Sequence, residues 1–182
     1  MKHKLILLLF LIFNSIAFTQ ESRITSTIDS TKTPELVLIQ EFKVKASLED
    51  VWNAYTTKKG WESWAVPLAE INLKVGGFIK TNYNPQGKIG DSTTIVTHII
   101  NYVPKKLITL QAELTPNFPE FMKADAKDFY NVIYFSDIED GYISVKSYGI
   151  GYKNNPKYLS LMNFFIPANE KSLMKLIMYL EQ

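Results

Sequence analysis

LVLIQEFKVKASLEDVWNAYTT, residues 36–57, decides the fold. Its first half places Leu36, Leu38, Phe42 and Val44 at every second position, the alternation of a strand with one buried face. Gln40 is the one polar interruption on that face. At Ser47 the period changes. Ser47-Leu48-Glu49-Asp50 is a capping-box-like start with Asp where Glu is commoner, and Leu48, Val51, Trp52 and Tyr55 follow at helical spacing. A strand therefore runs into a short amphipathic helix ending near Lys58. Gly60 interrupts it, and Trp61 to Trp64 reads as a second short helix or turn closed by Pro67.

Downstream, strand-like segments fall at residues 69–73, 77–83, 93–102, 107–114, 130–138 and 142–152. Turn-formers separate most of them: Val75-Gly76-Gly77, Asn84-Pro85-Gln86-Gly87, Val103-Pro104-Lys105-Lys106 and Glu139-Asp140-Gly141. This predicts a meandering antiparallel sheet. Residues 115–128, with Pro116 and Pro119 ahead of Glu120, predict a loop carrying a helical turn or two over a sheet edge, a candidate lid. From Pro156 to Leu180, Tyr158, Leu161, Phe165, Leu173, Leu176 and Leu180 recur at threes and fours, the marks of a long amphipathic helix of about 37 Å. Pro167 lies inside it and removes a backbone donor, so a kink or break is expected near Ile166.

Upstream, Lys2 and Lys4 precede an apolar run from Leu5 to Phe13, and Ser15-Ile16-Ala17 offers small residues for a signal peptidase. The uncharged stretch 5–20 has 16 residues, short of the ~20 that span a bilayer. Residues 1–19 are thus expected to be a cleaved leader, and the mature chain to be exported, periplasmic or secreted, without stable membrane insertion. Residues 20–35, rich in Ser and Thr, read as a flexible tether, leaving one domain over 36–182. There is no cysteine, so neither a lipoprotein anchor nor a disulfide is available, and burial must supply the stability. Discarding Lys2 and Lys4 removes the formal +2 charge, and no basic footprint for nucleic acid remains.

The order of strand, two short helices, meander and long final helix resembles the START-like superfamily, also called SRPBCC. Residues 46–54, ASLEDVWNA, resemble the "apaeeVWdAlt" signature of the branch named after activators of the heat-shock-chaperone ATPase. Trp61-Glu62-Ser63-Trp64 is similar to its following "W" element and Lys74-Val75-Gly76-Gly77-Phe78 to its "pGG" turn. Gly149-Ile150-Gly151-Tyr152 and the stretch from Phe164-Phe165 through Asn169 to Leu176 resemble its closing strand and helix, so the likeness covers about residues 36–181. The resemblance implies an α+β helix-grip fold: a curved antiparallel sheet of about six or seven strands wrapped around the final helix. It also implies a cavity between them that in many relatives receives an apolar small molecule. Co-chaperones, carriers, receptors and cyclases share the scaffold, so the site decides function. An exported chain would not meet the cytosolic partners of a co-chaperone.

Chemistry is thinly represented. The mature chain holds one histidine, His98, and no thiol, too few ligands for a metal site. No Gly-x-Ser-x-Gly elbow occurs, Glu49-Asp50 open a helix, Glu139-Asp140 sit in a turn, and Gly76-Gly77 precede a strand rather than a phosphate-binding helix. No cofactor is expected. His98 is either an ordinary strand histidine or a polar anchor in the cavity. Ten tyrosines and three tryptophans are more than simple filling requires. Trp52 is assigned to the core. Trp64, Tyr83, Tyr134 and Tyr148 are either half-buried structural aromatics or cavity walls. Met174 and Met178 are gap-fillers or adaptable pocket residues. The candidate ligand-binding set is Trp64, Phe78, Tyr83, His98, Tyr134, Tyr148, Phe165 and Met174, taking a hydrophobic or lipid-like small molecule without catalysis. The alternatives are a cyclase- or hydratase-type enzyme with His98 or Glu113 as general base, and a protein-interaction module.

Overall fold

The structure, a computed structural model, describes residues 22–31 and 34–182. The expected leader lies outside the described residues. The chain runs β1 (Ile24–Asp29), β2 (Glu35–Lys45), α1 (Leu48–Thr56), α2 (Lys58–Trp64), β3 (Leu68–Asn72), β4 (Phe78–Asn82), β5 (Ile95–Val103) and β6 (Leu107–Ala112). It continues through α3 (Glu120–Ala124), a 3₁₀ turn at Ala126–Asp128, β7 (Tyr130–Ile138), β8 (Tyr142–Lys153) and α4 (Pro156–Leu180). The strands form one curved, open antiparallel sheet in the order β1-β2-β8-β7-β6-β5-β4-β3, with α4 lying across it: a helix-grip α+β fold.

The eight strands among the described residues exceed the six or seven expected, and the additional one corrects the tether. Residues 24–29 pair with β2, placing Ile24 opposite Phe42, Ser26 opposite Gln40 and Ile28 opposite Leu38. The segment is polar overall, yet its two isoleucines fall at period two on the inner face. An exposed edge of β2 supplies the backbone partners, so little apolar surface is enough to fix it.

Ser47 caps α1 by accepting from the Asp50 amide, while its hydroxyl donates to the Asp50 carboxylate at 2.6 Å. Asp50 thus stands at the position that Glu usually holds in a capping box, but meets the Ser47 hydroxyl rather than its backbone N–H. Gly60 does not interrupt a helix but lies inside α2, whose first turn is capped by Thr57. A Cβ at Gly60 would overlap the Asn53 carbonyl oxygen, so glycine is what lets α2 fold back tightly on α1. Nor does Pro167 break α4, which runs as a single element from Pro156 to Leu180. Pro167 and Asn163, whose carbonyl loses its helical partner, are both exposed, and water can satisfy that carbonyl.

The main core packs α1 and the C-terminal part of α4 on the sheet centre, with Val44, Val51, Ile79, Ile99, Ile108, Leu176 and Ile177 almost wholly removed from water. Trp52 belongs to it, edge-on to Phe135 with ring centroids 5.6 Å apart. A second cluster of Leu36, Leu38, Met122, Phe129, Tyr158 and Met162 joins the N-terminal part of α4 to the segment carrying α3. The two clusters leave a gap between them.

Candidate functional site

That gap is a cavity of about 360 Å³ between α4 and the inner face of the sheet. Met162, Phe165 and Asn169 of α4 roof it, and Trp61 of α2 closes one end. Phe118 and Met122 bring the predicted lid segment, 115–128, against the cavity, with Leu114 and Phe129 on either side of it. Phe118 and Phe165 lie 6.4 Å apart, ring to ring, where lid and helix meet. The apolar floor comes from Leu38 and Leu110.

Polar groups run in register from Ser26, outside the cavity, onto its floor. Ser26 lies opposite Gln40 and Gln40 opposite Ser147. The Ser147 hydroxyl donates to Asn131 Oδ1 at 2.7 Å. Gln40 is only 5% exposed, and burying its amide is tolerable because both ends are bonded. Its Nε2 donates to Ser26 Oγ at 3.0 Å, and its Oε1 accepts from Asn169 Nδ2 at 3.0 Å. Tyr152 adds a phenol whose pKa is pushed above its ordinary value by burial, so it stays neutral. Among the described residues the lining contains no Asp, Glu, Lys, Arg or His. The cavity can therefore hold an uncharged molecule with an apolar body and a polar group, but offers no carboxylate or imidazole for proton transfer.

Of the predicted ligand-binding residues, the structure brings only Phe165 to this cavity. Trp64 donates its indole N–H to the Ala54 carbonyl at 3.0 Å and stacks near Trp61, which takes the lining position instead. Met174 packs against the main core. Phe78 and His98 pair across β4 and β5 on the outer face, where the Lys80 ammonium lies over the Phe78 ring. His98 Nε2 lies 2.6 Å from Glu113 Oε1, both side chains about half exposed, so neither proposed base reaches the cavity. Tyr134 and Tyr148 meet edge-on on the same outer face, and Tyr83 is 64% exposed beyond the end of β4. Period two explains the strand tyrosines among these: Tyr134 and Tyr148 are each one residue out of phase with the inward set. The signal that does mark the site is polar or small residues at inward positions, namely Gln40, Ser147, Asn131 and Gly149.

Two larger hollows, of about 580 and 670 Å³, share Glu41, Lys43 and Tyr142. They are wide, shallow and walled by charged side chains, and they lie away from the gap beneath α4. Among the described residues, no cluster of three or more His, Cys, Asp or Glu is placed to hold a metal, and no helix is long and apolar enough to cross a membrane.

Solved structures share this architecture. CalU16 from Micromonospora echinospora is 15% identical with a TM-score of 0.61, over 86% of this chain and 85% of that one. The Aha1 dimer from Colwellia psychrerythraea is 19% identical with a TM-score of 0.60, over 80% of this chain and 96% of that one. The conserved protein EF2215 of Enterococcus faecalis is 14% identical with a TM-score of 0.58, over 87% and 78%. At these identities the likeness is one of fold. No curated protein matches the chain closely enough to count as a relative. The fold supports a ligand-binding or co-chaperone-like module. The family model described as Activator of Hsp90 ATPase homolog 1-like protein matches residues 45–176, and the chain belongs to that family.

Proposed function

We propose that the chain is an exported binding protein whose cavity holds a small, mostly apolar, uncharged molecule and performs no chemistry on it. The observation that carries this reading is the lining itself: apolar walls, a strip of neutral amides and hydroxyls and, among the described residues, no charged or imidazole side chain. A volume of about 360 Å³ sits at the small end of the range for ligand pockets. It suits a two-ring or short-chain molecule better than a long acyl chain. Export is supported by the basic start, the apolar run and the small residues of the first twenty positions.

Native mass spectrometry of the protein purified from its own host tests the reading. A retained small molecule is expected, and Ala112→Trp, which fills the cavity from β6, should abolish its retention while leaving the chain folded. Repeated absence of any bound mass, together with no uptake of a neutral two-ring dye such as prodan, overturns it. A protein-interaction role is the second reading, favoured by the Tyr134–Tyr148 pair on the outer face, where Tyr134 is 44% exposed. Pull-down from the exported fraction recovers a stoichiometric partner only in that case.

A further inference from the structure

The polar strip at the cavity has a direction, and that direction is fixed from outside it. Glu170 on α4 accepts from the Ser26 hydroxyl at 2.7 Å. A carboxylate only accepts, so the Ser26 proton is committed to Glu170 and the Ser26 oxygen must itself accept. Gln40 can then meet Ser26 only through its Nε2, at 3.0 Å, which turns its Oε1 toward Asn169. Asn169 in turn must donate through Nδ2, at 3.0 Å. The orientation of both amides is thereby set by the network rather than left open. What remains at the end of the chain is Asn169 Oδ1, a carbonyl oxygen on a cavity-lining residue with no partner among the described residues.

Four groups in series also act on one another. Ser26, Gln40 and Asn169 each become better acceptors because each donates further along, toward the Glu170 carboxylate. The terminal oxygen is thus more basic than that of an isolated amide, and the remaining Nδ2 hydrogen is a poorer donor. The Asn131–Ser147 pair carries no such bias, because the serine hydroxyl can donate or accept and its bond can reverse.

We propose that Asn169 Oδ1 is the specificity-determining acceptor of the cavity, and that the ligand carries an O–H or N–H donor at the end of an apolar body. This rests on the binding reading above and narrows it to neutral alcohols, phenols or N–H heterocycles, against ethers, esters and hydrocarbons of the same shape.

Calorimetric or fluorescence titration with three matched probes, 2-naphthol, 2-methoxynaphthalene and naphthalene, tests it. The wild-type protein is expected to bind 2-naphthol about fivefold to tenfold more tightly than 2-methoxynaphthalene, the worth of one added hydrogen bond. Asn169→Leu should make the two equal. Ser26→Ala, which lines no part of the cavity, should reduce the preference by releasing the Gln40 amide to turn. Circular dichroism on both variants guards against unfolding. Equal binding of 2-naphthol and 2-methoxynaphthalene by wild type, or a preference that survives both substitutions, overturns the inference while leaving the cavity a binding site. Failure of all three probes to bind the wild-type protein overturns the binding reading and the inference with it.

Discussion

The hydroxyl of Tyr158, on the first turn of α4, lies 2.7 Å from Asp125 Oδ2, and Asp125 closes the segment that walls one end of the cavity. Lys153, from the end of β8, holds the other carboxylate oxygen at 2.6 Å. Lid, helix and sheet are joined at one carboxylate. Asn155 places Tyr158 there by capping α4, accepting from the amides of Lys157 and Tyr158. Tyr158 is almost completely buried, with Phe121 and Phe129 against its ring edge-on.

Tyr158→Phe keeps that ring packing and removes only the bond to the lid. It should destabilise the protein by about 1–2 kcal/mol, because Asp125 loses a buried partner. The lid should feel it first, so amides within residues 115–128 are expected to exchange faster in deuterium labelling while the main core is unchanged. Uniform acceleration across the sheet would contradict a local latch.

Acid should open the same latch. Asp125 is held below the usual carboxylate range, first by the Lys153 hydrogen bond and then by that of Tyr158. Its folded pKa is lower than its unfolded one, so the unfolded chain binds the proton more readily and stability rises with pH across that interval. The contribution is fully present above the unfolded value of about 3.9 and fades as pH falls through the folded value. Between pH 5 and 2.5 the melting temperature of wild type should therefore drop more steeply than that of Asp125→Asn. Parallel curves would show that the carboxylate adds nothing to the fold.

Gly151 is where β8 makes room for the lid. The pairing of β2 with β8 shifts between Leu36 and Leu38, which face Tyr152 and Gly149, so β8 carries an extra residue there. Gly151 has φ +89, and a Cβ would overlap the Asp128 carbonyl oxygen. Gly151→Ala then combines a left-handed backbone with a collision against the 3₁₀ turn, at a cost on the order of 2–4 kcal/mol. Urea unfolding gives the stability loss, and probe binding should weaken as the displaced turn shifts the adjacent Phe129 in the cavity wall. A shift below about 0.5 kcal/mol would mean the turn yields freely.

Much of this fold could be read from the chain because its signals are local and strong. The switch from period two to helical spacing at Ser47 marked β2 and α1, and the turn residues placed the meander within a residue or two. β1 escaped because a strand with two inward isoleucines looks like a polar linker until an edge is available to pair with it. Pro167 and Gly60 misled in the opposite sense, since tertiary context decides whether a breaker breaks. The cavity was hidden for a different reason. Aromatic residues draw attention, but burying an aromatic fills space, whereas a void is left where small or polar side chains face inward. Gln40 had already stood out as the polar interruption on an apolar strand face, and its partner Asn169 lay 129 positions away, beyond the reach of any local pattern.

The imidazole is the remaining test of whether chemistry resides elsewhere. His98 and Glu113 form an exposed pair on the outer face, separated from the cavity by the sheet itself. Exposed pairs of this kind are worth at most about 1 kcal/mol, and His98→Ala should change stability by no more than that. If the cavity is the functional site, the same substitution leaves probe affinity at the wild-type value, because the β5 residue that faces the ligand is Thr97. A tenfold loss of binding, or loss of any turnover detected with a candidate substrate, would move the functional centre to the outer face. Glu113→Gln separates the two cases further: a general base loses its function with the carboxylate, whereas a surface pair can keep a hydrogen bond through the amide.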